Sequence, residues 1–138
     1  MSAGVVQLPD GTRLRGRGIR AGAPVAPLPQ WSLLLLPSPP RDVAWPHRWL
    51  RWRDFWLPSD RSDARASFAE AHLRAAAGER VKVACFGGHG RTGTAIACIA
   101  QLGKVSAEDA IAWTREAYDR RAVETPWQRR YVRRFTSR

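Results

Sequence analysis

Hydrophobic and polar positions along this chain change period several times, and each change marks an element. Near the start, Val5-Val6-Gln7-Leu8 and Thr12-Arg13-Leu14-Arg15 flank Pro9-Asp10-Gly11, which predicts a β-hairpin. Residues 21–30 carry Pro24, Pro27 and Pro29 and read as an extended connector. The run Trp31-Ser32-Leu33-Leu34-Leu35-Leu36, halted by Pro37, suits a buried strand and is far too short to cross a membrane. His47 to Trp52 reads as a further strand. A helix opens at Asp60 or Ser62, runs through Phe68 and Leu73, and stops at Gly78. Val81-Lys82-Val83-Ala84 is then a short strand, and the almost continuously apolar stretch from Thr94 to Leu102 a buried helix. Ser106-Ala107-Glu108-Asp109 starts another helix, with an acid three residues after the serine. Thr125-Pro126 caps and begins the last one. Strands alternating with helices predict a single compact α/β domain over residues 1–138, with a central, mostly parallel sheet flanked by helices. No internal repeat, second domain or secretory segment is legible.

Between the Val81 strand and the buried helix stands Cys85-Phe86-Gly87-Gly88-His89-Gly90-Arg91-Thr92-Gly93, with a thiol and a guanidinium at the two ends of a glycine-rich loop. A strand that turns through glycines into a helix N-terminus aims several backbone N–H groups at one point, which makes an anion site. A free thiol is only a few per cent thiolate at neutral pH. Shifting that balance by about three pH units takes on the order of 4 kcal/mol, whereas a helix dipole supplies ~0.3–2 kcal/mol. The remainder falls to loop N–H groups that bond the sulfur and to nearby positive charge. Glycines turn such N–H groups inward at positive φ without steric cost. Arg91 adds a planar fork that matches two phosphate oxygens, as a lysine cannot. The combination points to covalent phosphoryl transfer.

The spacing Cys85-x5-Arg91, followed by Thr92-Gly93, resembles the phosphate-binding loop of the cysteine-dependent protein tyrosine and dual-specificity phosphatases. Gly88-x-Gly90-Arg91-Thr92-Gly93 is similar to the inner part of that family's loop motif. The resemblance implies a hydrolase that needs neither metal nor cofactor. In it Cys85 attacks phosphorus, Phe86, Gly87, Gly88, His89, Gly90 and Arg91 surround the phosphate, and Thr92 stabilises the departing thiolate. The resemblance also implies a general acid on a separate loop, roughly thirty residues before the cysteine. Asp54, within Trp52-Arg53-Asp54-Phe55-Trp56-Leu57-Pro58, lies 31 positions before Cys85 and fits best, although Arg53 stands where the family has proline. Asp60 and Asp63 are the alternatives, and both also suit the start of a helix. Near the C-terminus, Glu124-Thr125-Pro126-Trp127-Gln128 is similar to a family segment whose first glutamine places the hydrolytic water. Glu124 occupies that first position and only Gln128 matches, so water handling is assigned to one or the other, with Gln128 expected beside the substrate. A last departure bears on activity. The family's histidine directly before the cysteine is Ala84 here, which predicts a less favoured thiolate and an activity optimum moved to higher pH.

Composition adjusts the picture only at the margins. With 138 residues, 44% of them hydrophobic, the chain has enough apolar content for one core. Two cysteines argue against a disulfide framework, and a thiolate nucleophile predicts a reducing, cytoplasmic setting. Cys98, in the apolar helix, reads as core; a protective disulfide with Cys85 is the alternative. His47, His72 and His89 show no metal-ligand spacing. The net charge is +11, and all the basic residues but Lys82 and Lys104 are arginine, with groups at Arg15, Arg17 and Arg20 and from Arg129 to Arg134. This excess favours anionic substrates, a phosphorylated protein or a small phosphate monoester, over a nucleic-acid function. Most of the seven tryptophans read as core, with Trp56 or Trp127 as a wall of the substrate cleft. Phe86 inclines the loop towards aryl phosphates, while His89 keeps a phosphoinositide in view.

Overall fold

Parity along the strands decides which side chains meet. In the computed structural model, which describes residues 4–19 and 27–137, five strands form one sheet in the order β1-β2-β5-β3-β4. β1 (Val5–Gln7) runs antiparallel to β2 (Arg13–Gly18) across the predicted hairpin turn. The other pairings are parallel: β2 with β5 (Val81–Cys85), β5 with β3 (Trp31–Leu36), and β3 with β4 (His47–Arg51). Every residue of β3 and β5 is buried, as expected for inner strands covered on both faces. Successive side chains point to opposite faces. Val81, Val83 and Cys85 therefore join Leu33, Leu35 and Leu14 in the main core, which residues of all four helices complete. Ala84, Leu34 and Leu36 face the other way and form a small cluster with Val43 and Trp49.

The helices are α1 (Arg61–Ala76), α2 (Gly90–Leu102), α3 (Ala110–Ala117) and α4 (Pro126–Arg134), followed by a short 3-10 turn at Phe135–Ser137. Asp60 caps α1, its carboxylate accepting the Asp63 N–H at 3.0 Å. The buried side of α1 carries Ala64, Phe68, Ala71 and Ala75, and Gly78 ends it at a φ of +97°. α2 is buried along its whole length except Leu102, which explains why its sequence shows no polar stripe. It begins four residues before the apolar run, because the tail of the glycine loop already forms its first turn, with Gly93 N–H bonded to His89 C=O at 2.7 Å. α3 begins later than the sequence predicts. Ser106 accepts the Asp109 N–H at 3.1 Å in a separate turn, and helical geometry starts only at Ala110. Of the proline-rich connector, residues 27–30 lack regular structure, whereas Pro24 and the neighbouring Arg20 lie outside the described residues. Among the described residues no helix is long and apolar enough to cross a membrane.

Candidate active site

β5 ends at Cys85 and α2 begins at Gly90, so the glycine loop is the direct link between the innermost strand and the most buried helix. Cys85 Sγ accepts the Gly88 N–H at 3.1 Å and the Thr92 hydroxyl at 3.0 Å. Gly88 has a φ of +79°, and a Cβ there would collide with the Gly18 backbone. The loop is thus pressed against the end of β2, and only glycines allow the approach. On its outer side, Tyr118 donates its hydroxyl to Gly88 C=O, and His89 Nδ1 pairs with Asp119 at 2.7 Å. Burial, reinforced by the negative charges of Cys85 and Asp119, pushes the Tyr118 hydroxyl to a higher pKa, so it stays a donor.

Arg91 is only 2% exposed. Its Nη1 donates to Trp52 C=O at 3.0 Å and to Leu35 C=O at 3.3 Å, which locks the plane of the guanidinium. Its Nε is buried with no hydrogen-bond partner among the described residues, and lies 3.6 Å from Asp54 Oδ1. The Asp54 carboxylate pairs with the charge at that distance but is too far to accept the bond, so the Nε–H stays open to an arriving anion. The Phe86 ring sits 5.7 Å from the guanidinium carbon.

Asp54 belongs to a segment bounded by the bridge between Trp52 and Pro58, and its side chain is 60% exposed. Trp52 is wholly buried and donates its indole N–H to Trp56 C=O at 2.7 Å, bracing the segment from within. The first turn of α4 grips it from outside. Trp127 donates to Phe55 C=O and stacks on Trp56 with ring centres 5.5 Å apart, while Gln128 Nε2 donates to Trp56 C=O at 3.0 Å. Gln128 Oε1 accepts the N–H groups of Glu124 and Thr125, at 3.0 and 3.2 Å. Both ends of the Gln128 amide are therefore engaged by backbone, where the sequence placed it beside the substrate. The Glu124 carboxylate instead lies over the loop, in the space that a Cβ on Gly90 would fill. Of the alternative acids, Asp60 caps α1 and Asp63 accepts from Arg48 at 2.7 Å.

No protein-family model matches this chain. An uncharacterized protein of Methanocaldococcus jannaschii is 39% identical over 83 residues, which are 59% of this chain and 54% of that one. The chain thus spans about half the length of the curated relative it matches. Among solved structures, the active form of Tk-PTP superposes with a TM-score of 0.70 at 21% identity, covering 80% of each chain. The chain has the fold of the cysteine-dependent phosphatases. PTPMT1 gives a TM-score of 0.65 over 96% of this chain and 94% of its own, at 15% identity. Kinase associated phosphatase gives 0.60 at 21% identity, over 67% of this chain and 53% of its own.

Within this phosphatase fold the sequence reading missed the supports of the loop. Tyr118 and Asp119 follow α3 and belong to no motif. Arg115 of α3 donates to Ala122 C=O at 2.9 Å and to Val123 C=O at 2.8 Å, holding the stretch that packs against Gly93 and leads to Glu124. The carbonyls that anchor Arg91 come from main chain and leave no sequence signal at all. Cys98 is wholly buried in the core, and burial pushes its thiol well above the ordinary range. Both cysteines are free.

Proposed function

We propose that this chain hydrolyses phosphate monoesters through a phosphocysteine intermediate, as a protein tyrosine or dual-specificity phosphatase. The observation that carries the reading is Arg91. Its guanidinium is fixed on one side by two carbonyls and keeps a buried N–H unsatisfied, in a loop whose Cys85 sulfur already accepts two hydrogen bonds. Such a fork awaits phosphate oxygens. A structural neighbour, kinase associated phosphatase, has a catalytic-site cysteine, which is replaced by serine in the structure compared.

In the first step the Cys85 thiolate attacks phosphorus and the P–O bond to the leaving group breaks. Asp54, as the acid, gives its proton to that oxygen. In the second step water attacks the phosphocysteine and surrenders a proton to the Asp54 carboxylate. The P–S bond breaks, inorganic phosphate departs, and the Thr92 hydroxyl receives the returning thiolate. The engagement of Gln128 and the position of the Glu124 carboxylate against Gly90 favour Glu124 for handling that water. Phe55, Trp56, Phe86 and Trp127 are exposed near these groups and favour an aryl phosphate on a protein over a phosphoinositide. A reactive thiolate favours a reducing compartment such as the cytoplasm.

Hydrolysis of an aryl phosphate by the reduced protein tests the reading. Turnover should vanish in Cys85→Ser, and vanadate should inhibit the wild type. Asp54→Asn should cost about 10²- to 10⁴-fold on alkyl phosphates, whose leaving groups need the proton, and less on aryl ones. Turnover that survives Cys85→Ser would sink the mechanism. No turnover between pH 5 and 8 would leave a phosphate-binding module, with Ala84 and Arg53 as the first positions to revert.

A further inference from the structure

The sheet face turned away from the helices holds a cluster of cations that the catalytic chemistry does not use. Strand parity puts Arg13, Arg15 and Arg17 of β2 on this face together with Lys82 of β5, and the parallel register sets Arg15 directly beside Lys82. Like charges at neighbouring sheet positions oppose one another. Lys82 is only 8% exposed. Its ammonium lies 4.6 Å from the centre of the Trp45 ring, and no carboxylate pairs with it among the described residues. Burial first, then the charges of Arg17 and Arg15, pull the ammonium below the ordinary lysine range. A buried cation in such company is unfavourable unless something outside the chain answers it.

Beside the cluster lies a cavity of about 610 Å³, which reaches along β2 from Thr12 to Arg17, with Arg80 and Pro29 also lining it. That volume is typical of sites for small molecules. Its two acids are committed elsewhere, Asp10 to His72 at 2.8 Å and Glu79 to Arg74 at 3.2 Å. Alternate residues of β2 repeat the charge at intervals of roughly 6.6 Å, which suits an extended polyanion better than a single phosphate.

We propose that this cavity is a second anion site, which takes a small molecule bearing two or more linked phosphate groups, with Lys82 on its floor and Arg13, Arg15, Arg17 and Arg80 around it. The site is separate from the Cys85 loop and does not depend on its chemistry.

Tripolyphosphate is the probe, and thermal unfolding of the full chain, with vanadate present throughout to occupy the Cys85 loop, is the readout. Millimolar tripolyphosphate should raise the Tm of the wild type by several degrees and leave Lys82→Met and Lys82→Gln unshifted. Without the anion, Lys82→Met should unfold at a higher temperature than the wild type, because it removes a largely buried charge that no carboxylate pairs with. Aryl phosphate turnover should be the same in both variants and the wild type. Because all three proteins carry the same loop, their comparison holds whether or not vanadate binds there. An equal rise in all three would overturn the proposal in favour of diffuse binding to a basic surface. A rise with an oligodeoxynucleotide but none with tripolyphosphate would transfer the face to nucleic acid, and no rise at all would reject it.

Discussion

The Cys85 sulfur is held by donors of two kinds, and they respond differently to mutation. The Gly88 N–H belongs to the backbone and remains through any side-chain change elsewhere, whereas the Thr92 hydroxyl can be removed alone. A hydrogen bond to a charged group contributes ~1.5–3 kcal/mol, so Thr92→Ala should slow breakdown of the phosphoenzyme by about 10- to 100-fold. Rapid-quench kinetics should then show a larger burst and a slower steady state, and Thr92→Ser should restore both; an unchanged steady-state rate would count against the role. Gly88→Ala tests the loop itself. The substitution strains a φ of +79° and drives a methyl group into the Gly18 backbone, so both Tm and turnover should fall together.

At the scale of elements, the question is how an exposed carboxylate is held near a buried arginine. The segment that carries Asp54 rests on Trp52 from within and on the first turn of α4 from outside. An aromatic stack and a neutral hydrogen bond each contribute ~0.5–1.5 kcal/mol, so losing either should loosen the segment by up to about tenfold. Trp127→Ala and Gln128→Ala should therefore lower turnover of alkyl phosphates, which need the acid, while vanadate inhibition stays near the wild-type level. Faster amide exchange confined to residues 53–58 would tie the loss to the latch; slow exchange there, with turnover lost, would point to a direct role for Gln128 instead. Arg48 joins the same region at longer range, binding Asp63 and Glu70 of α1 from β4 at 2.7 and 2.9 Å.

For the molecule as a whole, one contact between distant parts of the chain has a predictable pH dependence. Asp10 in the hairpin turn meets His72 of α1 at 2.8 Å and also accepts the Thr12 N–H at 2.9 Å. Burial works against ionisation of Asp10, yet these bonds outweigh it and bring its pKa from 3.8 down to about 2. A depressed carboxylate adds stability above its unfolded value and loses it as pH falls through the folded one. Asp10→Asn should thus lower Tm at pH 6, with the gap to wild type closing between pH 3.8 and about 2. A gap as wide at pH 2 as at pH 6 would show that the carboxylate charge is not what joins the hairpin to α1.

Features built from neighbouring residues are encoded locally. The hairpin follows from Pro9-Asp10-Gly11, the buried strand from Trp31 to Leu36, and the anion loop from Cys85 to Gly93, whose bonds to Sγ come from within seven positions. Those bonds need only local backbone geometry, which residue type controls directly. Other features depend on contacts between distant parts of the chain. Arg91 is fixed by carbonyls 56 and 39 positions away, which carry no side-chain signal. Gln128 looks like a site residue in sequence but is turned inward by the capping of α4 and by the Trp56 carbonyl. Tyr118 reaches Gly88 only because α3 packs against α2, and Lys82 faces the arginines of β2 only because the sheet places β5 between β2 and β3. Strand order and helix packing arise from the fit of the whole core, and no single stretch of residues encodes that fit.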